Sequence, residues 1–105
     1  MAHKFDDNNF AAEVLAAKEL VVIDFYADWC GPCKMMGPII EEVANELKGE
    51  VKIGKVDVDN SPSTSTKYRV MSIPTLLFIK NGAVVDTIVG VISKDKLIEK
   101  INEHK

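Results

Sequence analysis

The spacing of apolar positions switches repeatedly between helical and strand periods. Phe10 and Val14, four apart, predict a short helix over Asn9 to Lys18, with Asp6, Asp7 and Asn8 offering N-cap oxygens. "LVVIDFYA", Leu20 to Ala27, is β-branched and aromatic on both faces, the pattern of a central strand covered from both sides. From Cys33 to Lys48, Met35, Met36, Ile39, Ile40, Val43 and Leu47 recur at helical spacing. Pro38 inside that helix is expected to kink it, and Gly49 to stop it. A second strand is predicted over Val51 to Asp59. Pro62 suits the first turn of a further helix, which the poor helix formers Ser63 to Thr66 should keep short or irregular. "TLLFIK" and "AVVDTIV" flank Asn81-Gly82, a strong hairpin signal. Ser93 then caps a last helix with Leu97, Ile98 and Ile101 as its apolar stripe and Asp95 near its positive end. Alternation followed by an antiparallel pair implies an α/β fold, a single mixed sheet with helices on both faces. No linker or repeat divides the chain, so residues 1–105 are expected to form one domain.

Composition narrows the function classes. An apolar fraction of 47% with 28% charged residues describes an ordinary globular chain rather than a disordered one. A net charge of −3 argues against a nucleic-acid binder, which needs a basic stripe to displace phosphate counterions. The apolar runs, such as Ile73 to Ile79, are far too short to span a bilayer, so no membrane association is expected. The opening "MAHKFDDNNF" has no apolar core of a secretory signal, and a reducing cytoplasm is the expected compartment. There, two cysteines are unlike a structural disulfide framework.

Both cysteines fall in one stretch, "DFYADWCGPCK", Asp24 to Lys34. Cys30 and Cys33 stand at the strand-to-helix turn, where unpaired helix N–H groups and the helix dipole favour a thiolate, the nucleophile of disulfide exchange. Gly31 allows a tight turn, and Pro32 needs no N–H at a helix start. Cys30, nearer the loop, is expected to be the exposed attacker, and Cys33, one turn in, the sheltered resolver. Two other readings stay open. One is a metal site, which wants four ligands and would need a dimer sharing the pairs, since His3 and His104 sit at the ends of the sequence. The other is a binding module whose thiols are incidental. Asp24, an acid within an apolar strand, is either a satisfied polar group or a base tuned by desolvation.

"WCGPCK" (Trp29 to Lys34), preceded by "DFYA" and followed by Pro38, resembles the thioredoxin family. The resemblance continues through "KVDVD" (Lys55 to Asp59), "SIPT" (Ser72 to Thr75), "KNG" (Lys80 to Gly82) and Val89-Gly90, covering essentially the whole chain. It is not independent of the redox reading above, because thioredoxins are the type case for that reading of Cys-x-x-Cys pairs. It implies a thioredoxin fold of about five strands and about four helices. It also implies a monomeric general protein-disulfide reductase without a prosthetic group. A thioredoxin reductase would recycle it, so NADPH or ferredoxin would act only indirectly. Disulfide-containing proteins would be the substrates. By resemblance, Cys30 is the nucleophile and Cys33 the resolving thiol of a redox-active disulfide. Asp24 is the buried acid that deprotonates the resolver through a water, and Lys55 the lysine beside it. Trp29 is the flanking aromatic wall, and Gly31 and Pro32 belong to the contact surface. Pro74 is a cis-proline facing the cysteines, Ile73 pairs its backbone with substrate, and Gly90 and Val91 form the apolar rim. Tyr26 stands where many members have Trp, a departure expected to leave the chemistry alone.

Overall fold

In the computed structural model, which describes residues 1–105, the chain runs β1 (His3–Phe5), a wide helical turn (Ala11–Leu15), β2 (Val21–Tyr26), α1 (Gly31–Glu46), β3 (Lys52–Asp57), α2 (Pro62–Lys67), β4 (Thr75–Lys80), β5 (Ala83–Val89) and α3 (Lys94–His104). The five strands form one mixed sheet in the order β1-β3-β2-β4-β5. β3 lies parallel to both β1 and β2, while β4 is antiparallel to β2 and β5. The apolar run at Leu20 to Ala27 thus becomes the central strand, with every residue from Val21 to Phe25 buried. Successive side chains leave opposite faces, so the sheet carries two cores. Val22, Ile53, Leu76 and Phe78 pack with Met36, Ile40 and Val43 of α1 and Leu97 and Ile101 of α3. Val21, Ile23, Phe25, Val56, Leu77 and Ile79 pack with Phe5, Phe10 and Val14 on the other face.

Two expectations at the N-terminus change. The helix foreseen over Asn9 to Lys18 shrinks to the wide turn, where Ala16 N–H donates to the Ala11 carbonyl five residues back. Before it lies β1, which the sequence reading missed. It has only three residues, of which Phe5 alone is buried, and it exists because β3 offers a parallel edge. Phe5 lies directly over Gly54, where an added Cβ would sit 2.2 Å from the ring.

Elsewhere the signals for α2 and the hairpin hold. α1 runs unbroken past Pro38, which sits on its exposed side. α2 is six residues long, as the Ser63 to Thr66 run requires. Asn81 and Gly82 take positive φ of 52° and 79°, the turn that suits a two-residue hairpin. On β5, Val84 pairs with Ile79 and Asp86 with Phe78, leaving Val85 as the extra residue of a bulge. Such a bulge on an edge strand discourages pairing with another chain.

Candidate active site

β2 ends at Tyr26 and α1 begins at Gly31, so the chain turns through Ala27 to Cys30 within one short loop. Cys30 is the N-cap residue of α1. Its Sγ accepts the Cys33 backbone N–H at 3.2 Å, occupying the place a serine or aspartate oxygen would take in an ordinary cap. The same N–H and the helix dipole are poised to stabilise negative charge on that sulfur. Cys30 and Cys33 are joined as a disulfide, with Cα atoms 5.3 Å apart. The expected contrast in exposure is absent in this state, because the bond holds both residues at 5% accessibility. What distinguishes them is their surroundings. Cys30 Sγ lies 3.7 Å from the Ile73 carbonyl oxygen, in a part-buried contact. Cys33 lines a surface cleft of about 170 Å³ with Tyr26, Ala27, Asp28, Lys34, Gly37 and Lys55.

Asp24 is fully buried on the α1 face of β2, and neither carboxylate oxygen has a hydrogen-bond partner within the protein. Burial pushes its carboxyl up to about 6, from an ordinary 3.8, while the Lys55 ammonium pulls it down. Lys55 is directly opposite Asp24 in the parallel β2–β3 register. An acid that titrates near pH 6 can take and return a proton close to neutral pH, which a surface carboxylate does poorly.

The remaining expected residues converge from three parts of the chain. The Ile73–Pro74 peptide is cis, and the Pro74 carbonyl accepts the Gly90 N–H at 2.8 Å. Gly90 has φ of 100°, a conformation that favours glycine. Val91 beside it is exposed, as are Gly31 and Pro32. Trp29 is 71% exposed, so it is a surface wall rather than core. Its Nε1–H donates to Asp59 Oδ2 at 2.8 Å.

Three neighbours of this region escaped the sequence reading. Asp59 lies within "KVDVD" but carried no signal that it anchors Trp29. Met71, 92% exposed, precedes Pro74 by three residues, and Val89, also exposed, pairs with Thr75 beside it. Neither histidine joins the cysteines. His3 stacks on Phe5, and His104 Nε2 lies 2.9 Å from Asp86. The largest cleft, about 370 Å³, is at the other end of α1, among Met1, His3, Glu19 and Lys48. It holds no thiol and takes no part in this chemistry.

Residues 1–103 match the sequence model of the thioredoxin family. A thioredoxin of Bacillus subtilis is 48% identical over 96% of this chain and 95% of its own length. Thioredoxin 2 of Chlorobaculum tepidum is 47% identical over 93% of this chain and 90% of its own. A thioredoxin of Rickettsia felis is 45% identical over 98% of both.

Proposed function

The chain belongs to the thioredoxin family, and from that premise we propose the working cycle of its dithiol. The activity is protein-disulfide reduction by a redox-active Cys30/Cys33 pair, with no prosthetic cofactor. In the cycle, the Cys30 thiolate attacks one sulfur of a substrate disulfide, and the other substrate sulfur leaves as a thiolate that takes up a proton. Cys33 gives its proton to the Asp24 carboxylate through a water, and its thiolate attacks Cys30 Sγ. The first substrate sulfur departs as a thiolate that takes up the proton held by Asp24; the substrate disulfide has gained two electrons, one on each sulfur, and Cys30 and Cys33 have each lost one and are joined as the oxidised pair.

One observation carries the assignment of roles: Cys30 Sγ is both the N-cap acceptor of α1 and the sulfur beside the Ile73 carbonyl, where a substrate chain would lie. Trp29, Gly31, Pro32, Ile73, Pro74, Gly90 and Val91 form the docking rim in this reading. The protein works as a monomeric single domain in the cytoplasm, with a thioredoxin reductase returning it to the dithiol.

Reduction of insulin disulfides by the wild type, Cys30→Ser and Cys33→Ser tests the cycle. Both variants should lose at least about a hundredfold in turnover. Cys33→Ser should accumulate a mixed disulfide through Cys30, whereas Cys30→Ser should trap nothing. Turnover by Cys30→Ser would remove it as the nucleophile.

A further inference from the structure

Asp24 and Tyr26 are two residues apart on β2, so their side chains leave the same face of the sheet. Lys55 opposes Asp24 and Asp57 opposes Tyr26 in the parallel register, which puts both on that face as well. α1 covers it and contributes Cys33, Lys34 and Gly37 to the cleft. An adjoining cleft is lined by Lys4, Tyr26, Lys55 and Asp57. The titratable and charged groups around Asp24 are therefore Lys55 and Asp57 of β3, Tyr26 and Asp28, Lys4 of β1, and Cys33 and Lys34 of α1.

In this company Lys55 forms no ion pair, even with Asp57 two residues further along its own strand. Its Nζ instead sits 4.5 Å from the centre of the Tyr26 ring, well within cation–π range. Gly37 of α1 lies beside it: an added Cβ there would come to 4.0 Å from the same Nζ, an ordinary contact. A lysine is a compact charge on a flexible stem, and without a fixed partner it swings into solvent, where its field is screened.

We propose that Tyr26 is a positioning residue, whose ring face holds the Lys55 ammonium at the Cys33 cleft so that this cation sets the proton affinity of Asp24. Its consequence for turnover rests on the reading of Asp24 as the base for Cys33. Lys55 is the group that opposes the effect of burial on Asp24, so the place of its ammonium matters. Desolvated surroundings make the interaction stronger than it would be in water.

The test follows the Asp24 carboxyl carbon by NMR through a pH titration of the reduced protein. In parallel, the rate at which Cys33 releases a mixed disulfide from Cys30 is measured against pH. Tyr26→Leu should raise the Asp24 midpoint and slow release about twofold at pH 6. Tyr26→Trp, which keeps an aromatic face, should leave both near wild type. Lys55→Met should raise the midpoint at least as far as Tyr26→Leu, and adding Tyr26→Leu to it should move nothing more. A midpoint that is unmoved or lowered in Tyr26→Leu overturns the proposal, as does an equal shift when Lys55 is already gone. A midpoint that moves as expected while release ignores it keeps the positioning role and removes Asp24 as the base.

Discussion

A carboxyl group enclosed between a strand and a helix with no hydrogen-bond donor resists ionisation. For Asp24 the folded-state value of about 6 exceeds the ordinary 3.8, so between those pH values the folded chain keeps a proton that the unfolded chain has released. Stability therefore falls as pH rises through that window, by about 3 kcal/mol in all, and stays reduced above it. Asp24→Asn removes the titration. It should stabilise the protein at pH 7 by about 2–3 kcal/mol, and the gain should vanish below about pH 4. Urea unfolding at the two pH values measures this, and an equal gain at both would contradict it. The same substitution should slow the resolving step more than the first attack. The acid was legible in the sequence because a charge stands out in an apolar strand, and the cysteines because their spacing is itself the signal. Tyr26 entered only as a departure from the family's Trp expected to leave the chemistry alone, because its contact with Lys55 exists only once β2 and β3 are in register.

Helix starts show the same division between local and distant causes. Ser93 caps α3 through its own Oγ, which accepts the Lys96 N–H at 3.1 Å, and the sequence reading placed it there. α2 begins at Pro62 after Ser61, whose side chain makes no capping bond. Its cap comes from Asp7, more than fifty residues earlier, which accepts from Thr64 N–H at 2.8 Å, Thr64 Oγ1–H at 2.7 Å and Ser63 N–H at 3.2 Å. In sequence Asp7 stands among the N-cap candidates of the N-terminal helix, where Asp6 alone accepts the Asn8 and Asn9 N–H groups. No sequence window contains both Asp7 and Thr64, so the link was invisible until the fold closed. The hydrogen bonds to Thr64 hold the Asp7 carboxyl below its ordinary 3.8. A lowered value means the cap stabilises above about pH 4 and is lost as pH falls through the folded-state value. Asp7→Ala should therefore speed amide exchange at Ser63 and Thr64 at pH 7 while leaving β2 and β4 protected. Exchange unchanged at those amides would show that α2 does not depend on Asp7.

At the scale of the whole molecule, strand direction decides what meets the cysteines. β2 ends where α1 begins. β4 runs the other way, so Thr75 at its start pairs with Phe25 near the end of β2, and Val89 at the end of β5 pairs with Thr75. The Trp29 loop, the Met71 to Pro74 segment and the Val89 to Val91 segment are thereby gathered at one end of the sheet. The hairpin was legible from Asn81-Gly82, but the β1-β3-β2-β4-β5 order was not, because it depends on pairings between distant residues. The family resemblance supplied Ile73, Pro74, Gly90 and Val91; the pairing of Val89 with Thr75 brings exposed Val89 to the same end of the sheet, and exposed Met71 lies three residues before Pro74. If that end of the sheet docks protein substrates, a charge placed on it must be desolvated each time a protein binds, but not when a small disulfide reaches Cys30 alone. Val91→Asp should then lower kcat/KM for a protein disulfide about tenfold, equivalent to about 1.4 kcal/mol of lost transition-state binding, while changing that for a small aromatic disulfide by less than about twofold. Equal losses on the two substrates would place the effect on the thiols rather than on docking. Val91→Ala, which trims the rim without charging it, should stay close to wild type on both.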